Sequence, residues 1–140
     1  MKSPLLAGVL IGTALTMSAA SAQVLRADFG RNEYRVNCMV CHGEKGKGDG
    51  SYGELLKTRL PDLTTIAKRN AGVFPFSNVV KTIDGREMPK AHGSSEMPIW
   101  GQAYNVKAAE YFQGQAYDPE AFVQARILAL VEYIYTLQTR

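Results

Sequence analysis

The sequence predicts an all-α protein, on three observations. Gly30, Tyr34 and Cys38 recur every fourth residue over 28–41, so they share one face of a helix. From Asp118 to Gln138 there is no glycine and no proline after Pro119. Phe122, Ile127, Leu130, Val131, Ile134 and Leu137 form an apolar stripe there at helical spacing. Nowhere does the chain alternate polar and apolar residues in a sustained way, so no sheet is expected. The architecture that follows has a first and a last helix crossing, with short helices and loops between them.

The N-terminal residues suggest export. Lys2 is followed by a mostly apolar run, Leu5 to Met17, and then by the small-x-small site Ala20-Ser21-Ala22. That layout is a secretory signal peptide, residues 1–22, cut before Gln23. The competing reading is an uncleaved anchor, because the run is near the lower limit of a membrane span. Taking 22 residues from 140 leaves 118, enough for one domain, 23–140. No second apolar run is long enough to cross a bilayer. The excised segment holds one charge, Lys2, so the remainder carries 15 basic and 13 acidic side chains. That balance gives no sign of nucleic-acid binding. Lys45, Lys47, Lys57 and Arg59 cluster in sequence and read as a solvated face.

The first helix is expected over Asp28 to Cys41, with Asp28 as its N-cap. A glycine inside a helix costs up to about 1 kcal/mol against alanine. Gly30 is therefore expected where another element comes very close, with Tyr34 packed beside that contact. Gly43 to Gly53 contains five glycines and reads as an extended loop. It lacks the G-K-[ST] ending and the preceding strand of a phosphate cradle. Leu55 to Leu60 reads as a helical turn before Pro61. Asp62 or Thr64 caps a short helix to about Asn70, with Gly72 as its stop. Pro75 to Ile83 is another, burying Val79, Val80 and Ile83 and ending at Asp84-Gly85. Met88 to Gly101 reads as an irregular loop. Residues 102–117 are ambiguous, with a helical turn at Val106 to Phe112 closed by Gly114. Asp118-Pro119-Glu120 opens the terminal helix with an N-cap, a first-turn proline and an acid. That helix should cross the first near Gly30.

The chemistry lies in Cys38-Met39-Val40-Cys41-His42, which holds both cysteines and one of the two histidines. C-x-x-C-H is the attachment sequence of haem c. Two cysteines on one helical turn can form thioethers to the two vinyl groups of one haem. His42 then lies under the iron and can donate a ring nitrogen. A disulfide is the first rival in an exported chain, but so short a bridge closes too small a loop to stabilise much. A thiol redox pair would come with a βαβ pattern, absent here. A zinc site of Cys38, Cys41, His42 and His92 lacks a second closely spaced pair. Attachment of haem outside the bacterial cytoplasm agrees with the signal segment.

An iron that only transfers electrons needs a sixth ligand. Met39 lies within the attachment loop, on the His42 side. Met88, His92 and Met97 are far enough along the chain to wrap around. A thioether favours reduced iron and raises its potential. Met88-Pro89 and Met97-Pro98 both place a stiffening proline after the methionine. Trp100 follows Met97 closely, and its indole N–H can reach a haem propionate. The residues alone put Met97 modestly ahead of Met88, with His92 as the bis-histidine alternative.

These features together resemble a class I c-type cytochrome, specifically a small bacterial monohaem one. The most specific part is the motif with Gly43 after it. The Gly30, Tyr34, Cys38 spacing resembles the family's first helix, and Leu130 with Tyr133 its last. Glu96-Met97-Pro98-Ile99-Trp100-Gly101 is similar to the M-P-x-W-G segment that bears the axial methionine in many bacterial members. The resemblance implies the cytochrome c fold wrapped around one haem c, covalent through Cys38 and Cys41. It further implies iron ligation by His42 and Met97, with Trp100 at the haem. One departure stands out. Many relatives carry a proline after the G-x-G-D-G run, near the carbonyl that orients the proximal histidine, and Ser51 occupies that place.

The function expected is periplasmic electron transfer without catalysis. The partners expected are redox proteins: a dehydrogenase, a quinol-oxidising complex or a terminal oxidase. The protein would be a monomer or a subunit of a complex. In a dedicated subunit of a dehydrogenase complex, Tyr104, Tyr111 and Tyr117 would face the partner. A haem enzyme or gas sensor with an open sixth position is the third reading.

Overall fold

The computed structural model describes residues 28–56, 59–86 and 97–139. Helix α1 covers 28–37, and α2 is Met39–His42. A 3-10 turn follows at Gly53–Leu55, and a second, Leu63–Thr65, runs into α3, Ile66–Arg69. Then come α4, Phe76–Asp84, α5, Trp100–Phe112, and α6, Pro119–Thr136. Among the described residues there is no strand, and the fold is all-α. Residues 1–27, with the expected signal segment, and Met88 and His92 lie outside the described residues.

Helix α6 is the spine, and its residues explain why. Asp118 accepts from the Ala121 N–H and Pro119 takes the first turn, so the start is well specified. Val123, Ile127, Leu130 and Val131 are fully buried. Burying each such side chain is worth about 1.5–3 kcal/mol relative to exposure. Helix α6 packs against α4 and α5 and meets α1 at Ala129, so it is apolar around much of its girth.

Helix α1 crosses this spine at Gly30. A Cβ on Gly30 would clash with the Ala129 carbonyl oxygen and lie 3.2 Å from the Tyr133 Cβ. Only glycine lets the two backbones meet so closely. One turn on, the Tyr34 and Tyr133 rings pack with centroids 5.2 Å apart. The Glu33 carboxylate is buried against the Arg126 guanidinium at 2.9 Å, and Asn37 donates to the same carboxylate. The first helix is not continuous to Cys41, as the spacing suggested. It breaks for one residue at Cys38 (φ −119°), while the His42 N–H still reaches the Cys38 carbonyl at 2.8 Å. Asp28 is already helical and does not stand ahead of the helix.

The largest departure from expectation is α5. Trp100 and Gly101, expected in a loop, begin a 13-residue helix that ends at Phe112 and includes the turn expected at Val106 to Phe112; residues 113–117 are not helical. Its buried face is Gly101, Tyr104 and Ala108. Two of these three are small, so no apolar stripe announces it. Tyr104 is fully buried and pairs with Trp100, ring centroids 5.8 Å apart, which removes it from any partner surface. Tyr111 is 75 % exposed. A 3-10 turn stands at Gly53–Leu55; of the turn expected at Leu55 to Leu60, residues 57–58 lie outside the described residues. Val79 and Val80 of α4 are only partly buried, while Ile83 is buried. Among the described residues, no helix is long and apolar enough to cross a membrane.

Candidate cofactor site

The break at Cys38 places the motif against a cavity of about 340 Å³. Three walls enclose it. Cys38 and His42 come from the end of α1 and from α2; Leu130 and Ile134 come from α6. Val79 and Ile83 of α4 form the third wall, with Leu63 and Ile66 beside them. Met97, just ahead of α5, also lines it. The volume falls in the range of small-molecule and cofactor pockets, and the walls are mostly apolar.

The glycine-rich loop is what holds the motif in place. The Gly48 N–H donates to the His42 carbonyl at 2.9 Å, and the Gly50 N–H to the Cys41 carbonyl at 3.1 Å. The Tyr52 N–H reaches the Val40 carbonyl at 2.9 Å. The buried Tyr34 hydroxyl donates to the Gly43 carbonyl at 2.7 Å, tying the residue after His42 to α1. The far wall is fixed through Asp62, whose carboxylate accepts from both the N–H and the hydroxyl of Thr64. Gln138, past the end of α6, donates to the Leu63 carbonyl and accepts from the Ala67 N–H.

Burial sets the protonation states here. It pushes the His42 pKa down, which keeps the ring neutral and able to donate a lone pair to a metal. It pushes the Cys38 thiol up to about 12, helped by the Glu33 carboxylate and by Cys41. A thiol so placed is not a ready thiolate ligand for a metal ion. Cys38 and Cys41 are not joined to each other in a disulfide. Among the described residues, no three His, Cys, Asp or Glu side chains gather to hold a metal ion.

His42 Nδ1 is buried without a hydrogen-bond partner among the described residues. Sequence reasoning expected some acceptor for the His42 N–H. Where relatives have proline, the chain around Ser51 turns back on itself instead. The Gly50 carbonyl accepts from the Gly53 N–H at 2.8 Å, and the carbonyls of Val40 and Cys41 are engaged by the loop. Of the other residues singled out in the sequence, Cys38, His42 and Met97 share the cavity. Cys41 and Trp100 are not among its lining residues. Trp100 packs on Tyr104 instead. The α4 and 61–70 walls were not foreseen as part of the site, although Val79 and Ile83 carried the right spacing.

An all-α fold closed by a helix crossing at a glycine, with C-x-x-C-H set against an apolar cavity, defines a haem-binding electron-transfer protein. The model of the family described as Cytochrome c matches residues 27–138, four-fifths of the chain. The chain belongs to the cytochrome c family, whose members carry covalently bound haem c with its iron. No curated protein and no solved structure matches it significantly. The donor set fits such a group: Cys38, a neutral His42 imidazole and the Met97 thioether line a mostly apolar hollow, Cys41 lies on the same short helix as His42, and His42 Nδ1 has no partner among the described residues.

Proposed function

We propose that the chain is a small bacterial class I cytochrome, exported to the periplasm with residues 1–22 removed. It carries one haem c through Cys38 and Cys41, with His42 and Met97 as the axial ligands. The observation that carries this reading is the arrival of His42 and Met97, from opposite halves of the chain, at one apolar cavity that Cys38 also lines. When bound, the haem supplies a one-electron ferrous–ferric couple.

The protein's own contributions follow from its walls. His42, kept neutral by burial, presents a ring nitrogen. Met97 presents a soft thioether, which favours the reduced metal. Leu130, Ile134, Val79 and Ile83 exclude water and lower the local dielectric. Permanent ligation on both faces leaves no position for a substrate, so the role is electron carriage between redox proteins. A dehydrogenase, a quinol-oxidising complex or a terminal oxidase are the partners this chemistry suits.

Absorption spectra of the purified protein, oxidised and reduced, test the assignment beside a Met97→Ala variant. Wild type should show the weak far-red charge-transfer band of methionine-ligated ferric haem, and the variant should lose it. A band that survives the substitution would move the ligand to Met88; a wild type without the band that binds carbon monoxide readily would point to an open sixth position.

A further inference from the structure

Haem is an apolar ring that carries two carboxylates, and the cavity meets such a group unevenly. The walls supplied by α6 and by Met97 are apolar. Apart from Cys38 and His42, the polar lining comes from one stretch: Arg69 and Asn70 at the end of α3, and Asn78 and Thr82 a turn apart on α4. Among the described residues, Arg69 is the single charged side chain of the lining, and no carboxylate lines the cavity. Trp100, which the resemblance places at the haem, packs on Tyr104 and does not reach the lining.

The Arg69 guanidinium is held in place without being neutralised. Its Nη1 donates to the Asp62 carbonyl at 2.8 Å and to the Thr65 hydroxyl, both uncharged oxygens. The Asp62 carboxylate is turned to Thr64 instead, whose N–H and hydroxyl donate to it at 2.8 and 2.7 Å. Hydrogen bonds from Thr64, and then the charge of Lys47, hold the Asp62 carboxyl down more than Arg69 does. The Nε–H and Nη2 of Arg69 form no hydrogen bond among the described residues. Those two donors are one edge of the fork that takes a carboxylate in two parallel bonds. Arg69 is exposed, so its charge stands at the cavity mouth, where an unpaired cation is not costly.

We propose that Arg69, and not Trp100, binds a haem carboxylate, taking it with Nε–H and Nη2 at the rim formed by α3 and α4. The assignment rests on the reading of the cavity as a haem site. The Asp62 carbonyl and the Thr65 hydroxyl aim the fork, so the cofactor meets a donor pair already in position. The pairing also keeps a positive charge beside the iron. Reduction adds an electron there, so the charge favours the ferrous state. Lysine would supply the charge without the paired bonds.

Isotope-edited infrared spectra of holoprotein carrying ¹³C at the haem carboxyls test this, with redox titrations at low and high salt beside them. Arg69→Gln should move the labelled carboxylate bands. At a fixed ambient potential it should also cut the ferrous-to-ferric ratio about threefold, the scale of one unit charge acting through partly hydrated surroundings. Added salt should narrow that gap. Arg69→Lys should restore the ratio and leave the bands displaced. Trp100→Phe should keep the labelled bands where wild type has them. Unmoved bands in Arg69→Gln and Arg69→Lys overturn the pairing while the haem reading stands, and so do bands that move in Trp100→Phe instead. A purified wild type without covalently bound haem overturns the cofactor reading and the pairing with it.

Discussion

The α1–α6 crossing and the corner at the end of α4 flank the same cavity and are built by opposite means. The crossing joins two helix backbones at Gly30, with Tyr34 against Tyr133 and fully buried Ile127, Leu130 and Val131 beneath. The corner joins a helix end to a helix start through Arg86, which forks between Asp84 and Glu120, a left-handed Gly85 and little buried area. The first is dense and mostly apolar, and its Glu33–Arg126 ion pair is largely buried, so salt screens it little. The second is polar, partly exposed and screened by ions. Local opening draws on regions with few buried apolar contacts and exposed hydrogen bonds. The crossing should therefore yield only with the whole fold, while the corner can yield to salt and acid by itself.

Gly30→Val gives the largest effect and tests the first half of that contrast. The added Cβ meets the Ala129 carbonyl, and backbone cannot rotate away as a side-chain tip would. The helices must part, at a cost of about 3 kcal/mol. Denaturant unfolding of the holoprotein should show it as a lower midpoint for every probe together. Loss of the methionine band well before loss of helix in this variant would contradict the division.

Tyr34→Phe sharpens the contrast at smaller scale. The hydroxyl is buried and donates at 2.7 Å to the carbonyl of Gly43, next to His42. Removing it costs about 1 kcal/mol of unfolding free energy, measured by the same titration. Every probe should again move together. A methionine band that shifts alone would mean that the tie behind His42 governs the methionine side and not the crossing.

The two regions also differ in how far they can be read from sequence. The crossing is legible because it repeats: Gly30, Tyr34 and Cys38 at four-residue steps, and an apolar stripe on α6 opened by Asp118-Pro119. The attachment motif is legible because chemistry fixes its spacing. Helix α5 is not, since its buried face is Gly101, Tyr104 and Ala108, and small residues pack without raising a hydrophobic period. The Arg86 ion pairs are hidden for a different reason. Asp84 and Arg86 look like ordinary solvated charges until the fold brings Glu120, 34 positions beyond Arg86, beside them. Asp62 reads as a cap and is one, because that signal is local. His42 Nδ1, without a partner among the described residues, is half visible in Ser51, which stands where the resemblance leads one to expect proline.

Acid gives the smallest effect and the most specific one. The Arg86 guanidinium holds the Glu120 carboxyl down at about 2, against an ordinary value of 4.5, and holds Asp84 below its usual range. A carboxyl whose folded pKa is depressed contributes stability above its unfolded pKa and loses it as pH falls through the folded value. The Arg86 ion pairs should therefore be complete above about pH 4.5 and fade between there and about pH 2. The denaturant midpoint, compared between wild type and Arg86→Gln, isolates them, because groups common to both proteins cancel. The difference should be constant near neutrality and shrink steadily as pH falls through that window. Added salt at neutral pH should shrink it too, while the gap between wild type and Tyr34→Phe, a buried neutral hydrogen bond, stays put. A difference that persists at low pH and high salt would show that Arg86 acts through the packing of its methylenes and not through its charge.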